Sequence, residues 1–290
     1  MENEGYSYRE QVGARAAGVP VIDWLAGRYT HSSREVWLGR IAAGEVLVDG
    51  AVADAQQRLR AGAWLVWNRP PWDEPEVPLR YELIHEDEHV VVVSKPGGLP
   101  TQPAGGYLRH TLQWLVQQRW PEAVPVHRLG RGTSGLVVFA RTDPARRALA
   151  AALREGRVVK IYRTIVAGSP AWEEREIAVP IGPVPHPLLG TVHAASPAGK
   201  PARSVARVLE RREGASVLEV RIHTGRPHQI RIHLAAVGHP LLGDPLFLPG
   251  GRPRPDVLPG DEGYALHAAE LSWELPTPPG RLHLRAPAPA

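Results

Sequence analysis

The chain contains a series of short apolar runs with turn residues between them and only a few helical patterns. This arrangement limits the folds that the chain can adopt. The runs are VVVVSK (90–95), GLVVFAR (135–141), IYRTIVAG (161–168), SVARVLER (204–211), SVLEVRIHT (216–224) and LHAAELSWEL (266–275). Their length and β-branched content are typical of strands. One helix is predicted from Asp143-Pro144 to Arg154 and another over residues 229–238. Strands without regular helix alternation predict an α+β fold with a mixed, mainly antiparallel central sheet.

The sequence predicts two domains. Residues 1–68 have the pattern of a small helix-helix-hairpin unit, in which Ser33 is a helix N-cap candidate and Asp49-Gly50 a hairpin turn. Residues 69–80 are rich in proline and acidic side chains, which suits a semi-rigid linker. We therefore place the larger domain at residues 81–290.

The composition bounds the class of protein. Absence of cysteine excludes disulfides, thiolate zinc sites and cysteine nucleophiles. The chain has no run of eighteen apolar residues, and its start, MENEGYSYRE, is acidic. We therefore expect neither a transmembrane helix nor a secretory signal, and a cytoplasmic location.

The basic residues are distributed unevenly. The formal net charge is only +4, but between His127 and Pro170 the acids Asp143 and Glu155 face a large excess of bases. These bases are Arg128, Arg131, Arg141, Arg146, Arg147, Arg154, Arg157, Lys160 and Arg163. Such a basic stripe matches what contacts to nucleic-acid phosphates require, although a solvated helix face accounts for some of it.

The centre of this stripe is the segment VHRLGRGTSGLVVF (126–139), which we call the glycine-rich loop and which runs into an apolar strand. It combines three basic side chains with three glycines and the hydroxyl pair Thr133-Ser134. Glycines let another molecule approach the backbone closely, and arginines offer forked donors to phosphate. The loop is therefore either a polyanion-binding loop or a tight turn with solvated arginines.

The glycine-rich loop resembles the signature loop HRLDxxTSGLLLxAK of the RluA-type pseudouridine synthases, which isomerise uridine in structured RNA. Two later segments are similar to the family's tyrosine segment and to its TGRxHQIRxHLxxxGHPxxGD segment. They are KIYRTIVAG (160–168) and HTGRPHQIRIHLAAVGHPLLGD (223–244). The resemblance extends from about residue 15 to the C-terminus. It implies the pseudouridine synthase fold, in which the loop lies in a central cleft of the sheet, and a reaction that needs no cofactor or metal.

The resemblance also implies roles for individual residues. In the family a loop aspartate acts at the anomeric carbon of the ribose, an arginine pairs with it, and a tyrosine packs on the uracil. By position the aspartate falls on Gly130, the arginine on Arg231 and the tyrosine on Tyr162. Glycine offers no carboxylate, so catalysis needs another group, and Asp244 is a candidate substitute acid. Without the resemblance, Tyr162 would be interpreted as a core residue and Arg231 as a partner in a surface salt bridge.

Further basic side chains are predicted to contact RNA or to brace the loop. They are His127, Arg128, Arg131, Arg141, Lys160, Arg226 and His228. A metal site is not expected, because His223, His228 and His233 lie five residues apart, do not share one helix face and have no acidic ligand close in sequence.

Two functions are consistent with these residues. The first is an RNA pseudouridine synthase that modifies uridine in rRNA or tRNA, and the second is a non-catalytic RNA-binding protein, which Gly130 favours. The N-terminal unit resembles the small RNA-binding domain of a small-subunit ribosomal protein. Its usual Gly-Asp is replaced by Gly62-Ala63, so a packing role also remains open. In either case we expect a monomer whose partner is structured RNA.

Overall fold

The computed structural model describes residues 2–257, 263–275 and 280–287. The chain divides into two compact units, Met1–Glu74 and Pro75–Ala290. This division falls within residues 69–80, the segment that the sequence predicts as a linker.

The smaller unit combines two helices with a four-stranded antiparallel sheet. In chain order its elements are β1 (Tyr6–Gln11), a 3-10 turn (Ala14–Ala16), α1 (Val21–Arg28), α2 (Arg34–Ala42), β2 (Val46–Val48), β3 (Ala51–Val52) and β4 (Trp64–Arg69). The strand order is β1-β4-β2-β3. Both helices and the sheet contribute apolar side chains to one core, in which Trp37 of α2 is almost fully buried.

Local sequence explains how these elements start and turn. The Ser33 hydroxyl accepts a hydrogen bond from the Val36 N–H at 3.4 Å, which caps α2. Asp49 and Gly50 form the two-residue turn between β2 and β3, with φ of 51° and 84°. Such a turn needs positive φ at both positions, which aspartate tolerates and glycine adopts freely.

The larger unit is built on a ten-stranded sheet. Up to its centre the elements are β5 (Glu82–Glu86), β6 (Val90–Lys95), α3 (Leu112–Gln117), β7 (Val124–Pro125), β8 (Ser134–Ala140), α4 (Asp143–Arg154) and β9 (Val159–Ala167). The following elements are β10 (Glu174–Ile177), β11 (Ile181–His186), β12 (Gly190–Ala195), β13 (Ser204–Arg212), β14 (Ala215–Ile222) and α5 (Gln229–Ala236). The last are β15 (Phe247–Leu248), β16 (Arg252–Pro253), β17 (Leu266–Leu275) and β18 (Gly280–Arg285).

The sheet is mixed and mainly antiparallel. Its order is β10-β13-β14-β9-β17-β8-β6-β5, with β18 paired to β17 and β7 paired to β8. The contact between β17 and β8 is parallel, and all other named pairs in this sheet are antiparallel. The predicted α+β class and sheet type are therefore confirmed. The hairpins β11-β12 and β15-β16 lie outside this sheet.

Each face of the large sheet carries its own apolar core, because side chains alternate along every strand. The face that bears Tyr162 packs against α3 and α5, and the opposite face packs against α4. Strand β6 shows the consequence in its sequence: Val91 and Val93 belong to the first core, while Val90 and Val92 belong to the second. Burial on both faces explains the uninterrupted apolar run 90–93.

The glycine-rich loop enters the sheet at its centre, where β8 meets β17. Ser134 pairs with His267 and Gly135 with Ala268. Gly135 has a φ of 104°, and a Cβ there would lie 2.3 Å from the Ala268 carbonyl oxygen. Glycine is required at this position because two backbones approach too closely for any side chain.

Among the residues that the structure describes, no helix is both long and apolar enough to cross a membrane.

Candidate active site

Buried polar side chains anchor the backbone of the glycine-rich loop through hydrogen bonds. Lys95, at the end of β6, is almost fully buried and donates hydrogen bonds to the carbonyl oxygens of Leu99 at 2.7 Å and Arg131 at 3.1 Å. The Thr101 hydroxyl donates a hydrogen bond to the Leu129 carbonyl oxygen at 3.0 Å. The same hydroxyl accepts a hydrogen bond from the Leu129 N–H at 3.2 Å. A buried ammonium group requires such acceptors. The loop is therefore anchored at Leu129 and Arg131, on either side of Gly130.

His127 anchors the start of the same loop. Its Nε2 accepts a hydrogen bond from the Val138 N–H at 3.2 Å, across the turn into β8. Desolvation and the nearby Lys160 charge lower the pKa of His127 to about 4. The imidazole is thus neutral at physiological pH, and it serves as an acceptor for the backbone. Desolvation also lowers the pKa of Lys160.

Arg231 and Asp244 form a buried ion pair beneath the loop. The Arg231 Nε and Nη2 atoms donate to the two Asp244 carboxylate oxygens at 2.7 Å each, and the side chains are only 2% and 1% exposed. Asp244 Oδ1 also accepts from the N–H groups of Leu246 at 2.9 Å and Phe247 at 3.1 Å. Asp244 is therefore saturated with donors and oriented toward the guanidinium group, which leaves it poorly placed to attack a ribose.

Tyr264 connects this ion pair to the loop. Its ring lies over the guanidinium carbon of Arg231, 4.1 Å from centroid to carbon. A Cβ added to Gly130 would lie 3.5 Å from the Tyr264 hydroxyl oxygen and 3.5 Å from Thr133 Oγ1. A Cβ on Gly132 would lie only 3.2 Å from the same hydroxyl oxygen. Gly132 thus leaves room for the phenol of Tyr264, whereas a side chain at position 130 would meet this phenol at ordinary van der Waals distance. None of the sequence motifs indicated Tyr264.

Tyr162 lies on the same face of the sheet as Tyr264. It is 8% exposed and registers opposite Ala268 of β17. Both tyrosines belong to the core cluster that includes Leu129 of the loop. Burial raises the pKa of Tyr162 to about 12.

An open cavity of about 1020 Å³ adjoins the glycine-rich loop. Gly132 and Tyr264 contribute to its wall, together with Ser134, Arg163 and His267 from the sheet face opposite Tyr162. Its volume is at the upper end of the range for small-molecule sites and is sufficient for a nucleotide. The cavity therefore borders Gly132 and Tyr264, whereas Tyr162 and Arg231 do not belong to its wall.

Comparison with known proteins decides the family. The RNA pseudouridylate synthase family profile matches residues 89–236. An uncharacterized RNA pseudouridine synthase of Synechocystis sp. is 44% identical over 257 residues, which cover 87% of this chain and 88% of that protein. The chain belongs to the RNA pseudouridylate synthase family. The predicted recognition is therefore confirmed.

Further relatives agree with this family. RNA pseudouridine synthase 5 of Arabidopsis thaliana is 36% identical, covering 94% of this chain and 89% of the relative. Ribosomal large subunit pseudouridine synthase D of Pseudomonas aeruginosa is also 36% identical, covering 95% and 92%. The solved structure of human RNA Pseudouridylate Synthase Domain Containing 1 superposes with a TM-score of 0.58 at 24% identity, covering 75% of this chain and 87% of that one, which supports the fold. The chain therefore has a pseudouridine synthase-like function, and a purely RNA-binding role is not favoured.

Of the remaining residues predicted for the site, three arginines lie on the glycine-rich loop or close to α5, and one lies elsewhere. Arg128 is exposed on the loop, and its charge reaches His228 beside Arg231. Arg131 also lies on the loop, and its guanidinium group donates a hydrogen bond to the Tyr107 hydroxyl oxygen at 2.6 Å. Arg226 donates to the Pro201 carbonyl at 3.1 Å, just before α5.

Arg141 lies apart from these residues, at the other end of β8. It pairs with Glu122 at 2.8 Å and donates to the Asp87 carbonyl at 2.7 Å. The intervening strand, Ser134–Ala140, is about 23 Å long at about 3.3 Å per residue. The structure therefore does not bring Arg141 together with Gly130, and we leave it out of the proposed site.

No group of three or more histidine or acidic residues in the described parts of the chain could hold a metal ion. His233, one of the three histidines considered for that role, is buried between the Ser204 hydroxyl and the Val179 carbonyl, at 3.0 Å from each. Its ring nitrogens are therefore used within the fold.

We expect His228 to make the folding of this protein sensitive to acid. It precedes α5 in the left-handed conformation, with φ of 55°, and desolvation and the Arg231 charge lower its pKa from 6.5 to about 4. Between these two pH values the unfolded chain binds more protons than the native one, so stability falls as pH falls from about 6.5 to about 4, by at most about 3 kcal/mol. His228→Asn removes this titration and keeps a side chain that tolerates positive φ. We expect its melting temperature to fall less than that of the wild type between pH 7 and pH 4.5.

Thermal denaturation at the two pH values, followed by circular dichroism, tests this expectation. His89→Asn is the matched control, because the His89 side chain is 59% exposed. An equal acid-induced drop in the wild type and in His228→Asn would contradict the assignment.

Proposed function

We propose that this protein is an active RNA pseudouridine synthase that isomerises uridine in ribosomal RNA. The observation that carries the proposal is the arrangement around Gly130: a rigidly anchored loop, the buried Arg231, and two tyrosines on one face of the sheet. Isomerisation requires a base flipped out of its stack, an oxygen at the anomeric carbon and a group that handles the proton at uracil C5. Tyr162 is assigned to the uracil, and Arg231 to positioning the groups around the loop.

Ribosomal RNA is the proposed substrate because a 36% identical relative is named a ribosomal large subunit pseudouridine synthase. We place the protein in the cytoplasm as a monomer that acts without a cofactor. Arg128, Arg131, Lys160, Arg226 and His228 are assigned to RNA contacts or to bracing the loop.

Release of tritium from RNA labelled at uridine C5 tests the activity, because hydrogen at C5 is lost only if the uracil is reattached through that carbon. Ribosomal RNA and tRNA from a host lacking the gene are compared as separate substrates. We expect release from ribosomal RNA. Release from tRNA alone would overturn the choice of substrate, and RNA binding without release from either would overturn the activity.

Arg128→Ala should weaken binding to the RNA substrate and reduce the slope of log K against log salt by about one, because one phosphate contact is lost. Arg146→Ala is the matched control, since this exposed arginine is paired with Asp143 on α4. Filter binding at several salt concentrations measures both. Equal affinities and slopes for the two variants would exclude Arg128 from the RNA contact.

A further inference from the structure

The reaction needs an oxygen that can act at the ribose, and no carboxylate supplies it at the glycine-rich loop. Gly130 has none, and the sequence contains no acid between Glu122 and Asp143. Asp244, the substitute considered from the sequence, is engaged by the two Arg231 donors and by two backbone N–H groups. The group that replaces the carboxylate must therefore come from another side chain at Gly130.

Two hydroxyl oxygens surround the position of the missing side chain. Thr133 Oγ1 and the Tyr264 hydroxyl oxygen both lie 3.5 Å from the point that a Cβ of residue 130 would occupy. Phenols ionise far more readily than aliphatic alcohols, and a phenolate is the better leaving group. Tyrosine is also known as a nucleophile at anomeric carbons in glycoside cleavage by sialidases. Chemistry therefore favours Tyr264 over Thr133.

The surroundings of Tyr264 support this choice. The Arg231 guanidinium lies against its ring, so a positive charge is held where negative charge develops on the phenol. Glycine at position 132 gives room to the same side chain, because a Cβ there would lie 3.2 Å from the phenol and the ring would have to shift by a few tenths of an ångström. Tyr264 also contributes to the wall of the open cavity beside the loop.

We propose that the Tyr264 hydroxyl takes the place of the family's loop aspartate as the nucleophile. The inference rests on the proposed synthase activity. The phenolic oxygen forms a bond to ribose C1′ while the bond between C1′ and uracil N1 breaks. The electron pair of the broken bond leaves with the uracil, and the uracil accepts the phenolic proton. The uracil turns, its C5 forms a bond to C1′, and the bond between C1′ and the phenolic oxygen breaks with its electron pair returning to that oxygen. The proton released from C5 restores the phenol, so no atom is gained or lost.

Tyr264→Phe tests this role, because it removes the hydroxyl and keeps the ring on Arg231. Single-turnover tritium release should fall at least a hundredfold. Tyr8→Phe, which removes an exposed phenol in the smaller unit, is the matched control. The double variant Gly130→Asp with Tyr264→Phe should recover release, since it returns a carboxylate to the loop and shows that the site is still folded.

RNA containing 5-fluorouridine supplies the second readout. Fluorine withdraws electrons from C5 and slows the attack of this carbon on C1′, so the intermediate with a bond between Tyr264 and C1′ should accumulate and survive denaturation as a phenyl glycoside. Peptide mass spectrometry should map the adduct to Tyr264 in the wild type and find none in Tyr264→Phe. Wild-type turnover with an adduct on another residue, or unchanged turnover by Tyr264→Phe, would overturn the role of Tyr264 alone. A wild type without turnover on any RNA would overturn the proposed activity as well.

Discussion

Asp244→Asn is expected to destabilise the larger unit by about 3–5 kcal/mol, because it leaves the Arg231 guanidinium buried without its counter-charge. The asparagine keeps the size of the side chain and one oxygen for the two backbone donors, so the lost charge is the main change. Both partners are at most 2% exposed, which keeps water from replacing the carboxylate. Urea denaturation followed by circular dichroism measures the loss, and the midpoint should fall by roughly 1–2 M.

Glu210→Gln is the matched control for this prediction. Glu210 pairs with Arg212 at 2.8 Å, but both side chains are more than half exposed, so its loss should shift the urea midpoint far less than the loss of Asp244. Replacing both buried partners, as in Arg231→Met with Asp244→Leu, should recover part of the stability, because no charge then remains unpaired. If Asp244→Asn costs no more than Glu210→Gln, the pair does not stabilise the fold in this way.

Tyr162→Phe is expected to lower turnover by about 100- to 10,000-fold, the usual range for losing a group that transfers a proton. Burial raises the pKa of Tyr162 to about 12, so the phenol keeps its proton at physiological pH. It can then relay the C5 proton to the Tyr264 phenolate, accepting one proton while it donates its own. Turnover should therefore show no alkaline loss from this group below about pH 10. Single-turnover tritium release across pH measures both effects.

The free energy of unfolding of Tyr162→Phe distinguishes a catalytic role of Tyr162 from a structural one. Removal of the hydroxyl should change the free energy of unfolding by less than about 1 kcal/mol, because no hydrogen-bond partner for it is found among residues 2–257, 263–275 and 280–287. Tyr8→Phe is again the control. Full activity in Tyr162→Phe, or a fall in activity matched by a fall in stability, would argue that Tyr162 is only a core residue.

Much of the fold was predictable from local sequence. The alternating and continuous apolar runs predicted the strands of the large sheet, since burial on one or two faces leaves its own periodicity. Asp143-Pro144 predicted the start of α4, and Asp49-Gly50 predicted the turn between β2 and β3. These features depend on interactions between residues that are close in the chain, so they can be predicted from local sequence.

The site depended on contacts that local sequence does not reveal. The motifs indicated the loop, Tyr162 and Arg231, and they made Asp244 a candidate substitute acid, whereas the structure pairs Asp244 with Arg231. Arg141 belonged to the basic stripe in sequence and lies at the far end of β8 in space.

The family, the type of sheet and the absence of a carboxylate at position 130 followed from the amino-acid sequence alone. Only the tertiary structure placed Tyr264 there, because residues 130 and 264 meet through the parallel pairing of β8 with β17. A contact between segments so distant in the chain leaves no periodic signal. It arises when the sheet brings the two strand starts together.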